Sequence, residues 1–283
     1  MKVFFLTALI SLMISQGLWG QKFHDGLDML GALTVTLKKA KILEENSNYG
    51  FDNYVCLLGA FIRESKSVKW STTLEPGKTY VLIGGGDDDA TDIDIIVRDP
   101  NGNIIAKDND PDNNPVVSWT TNSYGKYSFE LKLYSSLTYG SFCALAIMRK
   151  YANTVPTNNM ATAMASSYLL WENLEELANV KFHDLNNQWC LFGMILDAGQ
   201  NQITTSINLG NDEHIFVSTG DDNSIDIDLC VTNNSKRALK CDEESDSTPM
   251  VRYYSSNSYY YGLKTKNIRS RGKSFIITSI LTN

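Results

Sequence analysis

The chain has 283 residues, 43% of them hydrophobic and 20% charged, with a formal net charge of -7. That is apolar enough for a packed core and long enough for one large domain or two ordinary ones. The acidic balance disfavours nucleic acid and anionic membrane surfaces, which select basic faces.

The chain opens MKVFFLTALISLMISQGLWG, with one lysine, an apolar run over residues 3–14 and then small and polar residues. This is the layout of a secretory signal peptide, here taken as residues 1–20, with cleavage after Gly17 or Gly20 both acceptable. The run is shorter than the roughly 20 residues needed to span a bilayer, and no later segment reaches that length. No cysteine follows it to carry a bacterial lipid anchor. A secreted or periplasmic protein with no membrane span after signal cleavage is expected.

Leu27, Leu30, Leu33, Leu37 and Ala40 then recur at spacings of three and four, which predicts one apolar face of a helix. Eight short β-rich runs follow, over 54–63, 68–74, 79–83, 93–97, 104–107, 115–120, 127–133 and 142–148. Glu75-Pro76-Gly77, Gly84-Gly85-Gly86 and Asp99-Pro100-Asn101-Gly102 supply turn chemistry between them.

The pattern then starts again. A shift of 134 positions lays Gly86 through Val97 on Gly220 through Val231 without a gap, Cys56-Leu57 on Cys190-Leu191, Gly59 on Gly193, Asp108 on Asp242 and Pro115 on Pro249. Met160, Met164, Tyr168, Trp171, Leu174 and Ala178 form the second helical stripe. The chain is therefore read as a leader (1–20), a helix and β-sandwich (21–150), a polar linker (151–159) and a second helix and β-sandwich (160–283). The expected class is mainly β with helices: two tandem jelly-roll-like antiparallel β-sandwiches, each preceded by one amphipathic α-helix. Each helix is expected to pack on its sandwich or bridge to the other copy.

The glycine-rich turn, Thr91-Asp92-Ile93-Asp94-Ile95-Ile96-Val97-Arg98-Asp99-Pro100-Asn101-Gly102-Asn103-Ile104-Ile105-Ala106, the acidic loop and Tyr124-Gly125-Lys126-Tyr127 together resemble the bacterial pre-peptidase C-terminal domains. The resemblance covers about 68–133 and, more faintly, 204–265, where Thr232-Asn233-Asn234-Ser235-Lys236 replaces the Asp-Pro-Asn-Gly turn. The leading helix lies outside the pattern. The resemblance implies a jelly-roll-like accessory module of an exported protein, some of whose relatives carry calcium sites and some of which are implicated in substrate binding.

Two acidic groups could bind calcium. Asp87, Asp88, Asp92 and Asp94, with counterparts Asp221, Asp222, Asp226 and Asp228, place carboxylates in a turn and then at alternate strand positions, on one face. Asp108, Asp110 and Asp112, matched by Asp242, Glu244 and Asp246, imitate the start of a calcium loop, but position twelve is Trp119, so an EF-hand is excluded. The competing reading of both groups is carboxylates that accept hydrogen bonds from turn amides.

Tyr253, Tyr254, Tyr259, Tyr260 and Tyr261 crowd one expected hairpin and could stack on sugar rings or anchor a protein. Of five cysteines, Cys56 with Cys143 and Cys230 with Cys241 are expected to pair, leaving Cys190 free and buried. His24, His183 and His214 fall in three contexts, with no Gly-x-Ser-x-Gly or His-Glu-x-x-His pattern. The sequence thus points to a non-enzymatic exported binding or structural protein that meets a glycan or an extracellular or periplasmic protein. An accessory or inhibitory partner of a separate exported protease is the alternative.

Overall fold

The computed structural model describes residues 26–52, 54–152, 155–185, 187–256 and 259–282. The leader and His24 lie outside them. Among the described residues no helix is long and apolar enough to cross a membrane.

The first copy runs α1 (Gly26–Asn46), β1 (Tyr49–Phe51), β2 (Tyr54–Arg63), β3 (Lys66–Leu74), β4 (Thr79–Gly86), β5 (Ala90–Arg98), β6 (Ile104–Asp108), β7 (Val116–Thr120), β8 (Gly125–Ser136) and β9 (Gly140–Lys150). The second runs α2 (Thr157–Ala178), β10 (Lys181–Phe182), β11 (Leu191–Leu196), β12 (Asn201–Ile207), β13 (Glu213–Gly220), β14 (Ser224–Asn233), β15 (Ala238–Asp242), β16 (Met250–Tyr254), β17 (Tyr261–Ser270) and β18 (Ser274–Thr282). The expected class holds: the chain is mainly β, its strand pairs are antiparallel, and a helix precedes each β region.

The strands form three sheets in two layers. The back layer is one ten-stranded sheet, whose main path is β16-β13-β18-β11-β2-β9-β4-β7, with β1 added to β9 and β10 to β18. The front layer is two separate four-stranded sheets, β3-β8-β5-β6 and β12-β17-β14-β15. The copies meet where β2 pairs with β11, Leu57 opposite Gly193 and Gly59 opposite Leu191. Glycine is needed at both places. A Cβ on Gly59 would lie 2.9 Å from the Phe142 ring, and one on Gly193 would lie 2.7 Å from the Phe275 ring.

α1 and α2 cover the far side of the back sheet, making a third layer. Sandwiched on both faces, β2 is buried almost throughout, the run of apolar residues expected of such a strand. The front strands β5 and β8 face solvent on one side and alternate instead: Ile93, Ile95 and Val97 point inward, as do Tyr127, Phe129, Leu131 and Leu133. Each large apolar side chain buried in these layers contributes about 1.5–3 kcal/mol.

Two local readings change. Leu27 is exposed, and the buried stripe of α1 is Met29, Ala32, Leu33, Thr36, Leu37 and Ala40. Gly84-Gly85-Gly86 is not a turn but the end of β4, paired with Leu145, Ala144 and Cys143 of β9. The reason is helix approach: a Cβ on Gly85 would lie 2.6 Å from Thr36 Oγ1 of α1. The stripe of α2, from Met160 to Leu174, is as expected.

Candidate functional site

The split front layer leaves a groove at the seam. β3 and β12 are the inner edge strands of the two front sheets, each paired on one side only, and they face each other over the β2–β11 pair. A hollow of about 500 Å³ lies between them, lined by Lys69, Trp70, Thr72, Gln188, Trp189 and Gln202 among others. A second hollow of about 300 Å³ continues past Trp70 towards Tyr54, Asp52 and Arg149, and shares Thr72, Thr73 and Gln202 with the first. Trp70 is half-buried and packs its ring 6.0 Å from that of Phe192 on the groove floor. Trp189 is buried beside it, and its Nε1 finds no hydrogen-bond acceptor among the described residues. The groove therefore offers an aromatic side chain, amides, hydroxyls and two lysines along one line. Sequence reading missed it, because Trp70 and Gln202 approach only when two copies share a sheet.

The acidic turns are held by backbone amides. Asp87 Oδ2 accepts from the Phe142 amide at 2.6 Å and Oδ1 from the Asp89 amide at 3.1 Å. Asp221 repeats this with Phe275 at 3.2 Å and Asn223 at 3.1 Å. Each aspartate thereby staples its turn to the start of the copy's last strand. Burial pushes the Asp87 carboxyl up to about 6, against the pull of those two amides. Asp88 and Asp222 are exposed. Asp92 and Asp94 share the outward face of β5, and both carboxyls sit above the ordinary range, first through desolvation and next through a neighbouring carboxylate, Asp112 for Asp92 and Asp92 for Asp94. Asp228 is raised chiefly by desolvation, partly offset by Lys266. Asp226 is buried.

The second acidic loop follows the same logic. Asp108 accepts from the amides of Asp110 at 3.2 Å and Val116 at 2.8 Å, and Asp242 from Glu244 at 3.1 Å and Met250 at 2.9 Å. Asp112 and Asp246 accept from Asn114 and Thr248, each at 2.7 Å. Recurrence of acids in both copies thus has a structural cause, the closing of equivalent loops. Among the described residues, the only group of three His, Cys, Asp or Glu side chains with ligand atoms within 4.8 Å of one another is Cys230, Cys241 and Glu243, and the two sulfurs are bonded to each other. A hard cation needs several oxygens around one point.

The tyrosines do not form a hairpin, since β16 belongs to the back sheet and β17 to a front sheet. Tyr253 packs edge-on against Tyr261, ring centroids 5.7 Å apart, and the Tyr261 hydroxyl accepts from the Ser256 amide at 2.9 Å. Those two are structural. Tyr254, Tyr259 and Tyr260 are exposed.

Cys230 and Cys241 stand opposite each other on β14 and β15 and are bonded. Cys56 and Cys143 are free and buried, a correction to the expected pairing. Their strands are neighbours, but Cys143 faces Ala60, four residues from Cys56, so about 13 Å of strand separates them. Cys190 is free and buried as expected, and burial raises its thiol to about 12.

Two histidines read as unrelated come together. His214 Nε2 lies 3.3 Å from His183 Nδ1, both side chains being buried. They are 31 residues apart in sequence, so only strand register unites them.

No family model matches the sequence, and neither does any curated protein. The chain has slight structural likeness to solved proteins. One is PliG of Aeromonas hydrophila, a periplasmic inhibitor of g-type lysozyme, with 17% identity over 34% of this chain and 87% of that one, at a TM-score of 0.27. Another is the M60 catalytic domain with two CBM51 domains of Clostridium perfringens ZmpB, with 7% identity over 83% of this chain and 37% of that one, at a TM-score of 0.27. The tandem CBM22 domains of Paenibacillus barcinonensis Xyn10C give 7% identity over 82% and 98%, at a TM-score of 0.22.

Proposed function

We propose that this is an exported, non-catalytic binding protein whose ligand is a glycan held in the seam groove. The supporting observation is that groove: Trp70 half-exposed in a channel lined with Gln188, Gln202, Thr72, Thr73, Lys69 and Lys126. The apolar face of a sugar ring packs on an aromatic plane, while its hydroxyls exchange water for amides and hydroxyls at the edges. The leader in the sequence and the Cys230–Cys241 bond support export to an oxidising compartment.

Non-catalytic binding is supported by the burial of a hydroxyl that lies beside a histidine. Ser255 Oγ is 3.4 Å from His214 Nδ1 but is fully buried and 3.1 Å from the carbonyl oxygens of both Gly210 and Asp212, so it is no exposed nucleophile. A second reading is supported by the open edges of β3 and β12, to which an extended peptide could add as a strand.

Calorimetric titration with a panel of soluble oligosaccharides tests the glycan reading. At least one should bind, and Trp70→Ala and Gln202→Ala should each weaken it about tenfold or more, near the worth of one good contact. Binding that both variants leave unchanged would place the ligand elsewhere. Failure of the whole panel, with binding of extended peptides instead, would replace the glycan by a peptide.

A further inference from the structure

His183, just after β10, and His214, in β13, meet at the outer corner of the second copy. His183 Nε2 lies 3.2 Å from the Asn208 carbonyl oxygen, and His214 Nδ1 lies 3.2 Å from that of Asp212. A carbonyl oxygen only accepts, so each outer ring nitrogen carries the proton when these bonds form. Each inner nitrogen, His183 Nδ1 and His214 Nε2, is then left with a lone pair, and the two lone pairs face one another at 3.3 Å. That spacing admits a hydrogen bond between the rings only in a tautomer that gives up one of the two outer bonds. It equals the edge of a tetrahedron about a metal ion bound at about 2.0–2.1 Å, roughly 3.3 Å. Outer ring nitrogens anchored on backbone carbonyls are also what orients metal-ligating histidines.

The first copy shows what this corner is built to hold. Tyr80 is opposite Arg149 in the β4–β9 pair, and His214 is opposite Thr282 in the β13–β18 pair. Phe51 faces Met148 and Phe182 faces Leu281, which puts Asp52 at the place of His183. Arg149 is hydrogen-bonded through Nε to Asp52. A fixed guanidinium thus occupies the corner in copy one, and in copy two threonine replaces it while two imidazoles replace its neighbours. Both charges of the Arg149–Asp52 ion pair are thus absent from copy two, and burial keeps its two imidazoles neutral, taking His183 down to about 4 and lowering His214 as well.

We propose that His183 Nδ1 and His214 Nε2 together bind a divalent transition metal ion of the zinc, nickel or copper class. Among the described residues no carboxylate or thiol lies within 4.8 Å of both nitrogens, so water or a small anion completes the coordination. It enters from the adjoining hollow of about 450 Å³, which Lys181, Asp184, Asn211 and Thr282 help to line. The ion ties β10 to β13 across the corner that the Arg149–Asp52 ion pair closes in copy one.

Zinc chloride titrated into the full mature protein, in a His24→Gln background that leaves only this histidine pair, tests the proposal. One zinc ion per chain should bind, calcium and magnesium should not compete, and His183→Gln or His214→Gln should weaken binding at least tenfold. Nitrogen-15 spectra of the imidazoles guard against a variant that misfolds: in the unsubstituted pair, zinc should shift the inner nitrogens of both rings. No zinc binding, binding that both variants retain, or ring resonances unmoved by zinc would each overturn it.

Discussion

Leu57 stands opposite Gly193 across the antiparallel pair of β2 and β11, and this pairing makes one sheet of two repeats. The Cys190 amide donates to the Gly59 carbonyl at 2.9 Å at the end of the same ladder. Separating the copies would expose two long apolar edges, a template for aggregation. The seam is therefore a structural necessity, and the groove in front of it is a consequence of the front sheets not meeting.

The seam glycines should be intolerant of side chains. Gly193→Ala places a Cβ 2.7 Å from Phe275 and 2.8 Å from Leu57 Cβ, and should cost about 1–3 kcal/mol through overpacking. Gly193→Val should cost more. Urea unfolding would check both, and the loss should appear in a single transition for the whole chain, since both copies share the sheet.

Asp87 and Asp221 should behave alike, and differently from Asp92 and Asp94. Asp87→Ala or Asp221→Ala removes two acceptors of backbone amides and should destabilise by about 1–3 kcal/mol. Asp92→Asn and Asp94→Asn relieve repulsion among neighbouring carboxylates and should be neutral or slightly stabilising. Calcium should not raise the melting temperature; a rise abolished by Asp92→Asn would show that the turns bind it after all.

Asp87 also predicts a pH dependence. Its carboxyl is raised to about 6 in the fold from the ordinary 3.8, so the folded state holds the proton more tightly than the unfolded. Its contribution is complete below the unfolded pKa and is lost as pH rises through 6. Against Asp87→Asn, the unsubstituted protein should lose roughly 1–3 kcal/mol between pH 4 and pH 7. An unchanged gap would mean that the carboxylate is charged throughout.

Mass spectrometry of the denatured, alkylated protein should find one disulfide, Cys230–Cys241, and three thiols that react only after unfolding. Reduction should cost about 2–3 kcal/mol for so short a loop. A Cys56–Cys143 linkage would contradict the register of β2 against β9.

The strands were legible because front-sheet residues alternate and turns carry their own chemistry; 54–63 coincides with β2. The repeat was legible because both copies use the same turns. Three features were not. The Gly84-Gly85-Gly86 run serves a helix 45–50 residues upstream, so its local resemblance to a turn misled. The pairing of β2 with β11 depends on two buried runs, Leu57 to Phe61 and Leu191 to Leu196, that would suit the middle of any sandwich. Trp70 with Gln202 and His183 with His214 are brought together only by that register, and no spacing in the sequence marks them.

Native-state hydrogen exchange tests the central claim, a continuous back sheet with an open seam before it, most directly. The amides of β2 and β11 that pair across the seam should exchange only with global unfolding, while every second amide of β3 and β12, facing the groove, should exchange quickly. Fast exchange along β2 and β11, or equal protection of all amides in β3 and β12, would contradict it.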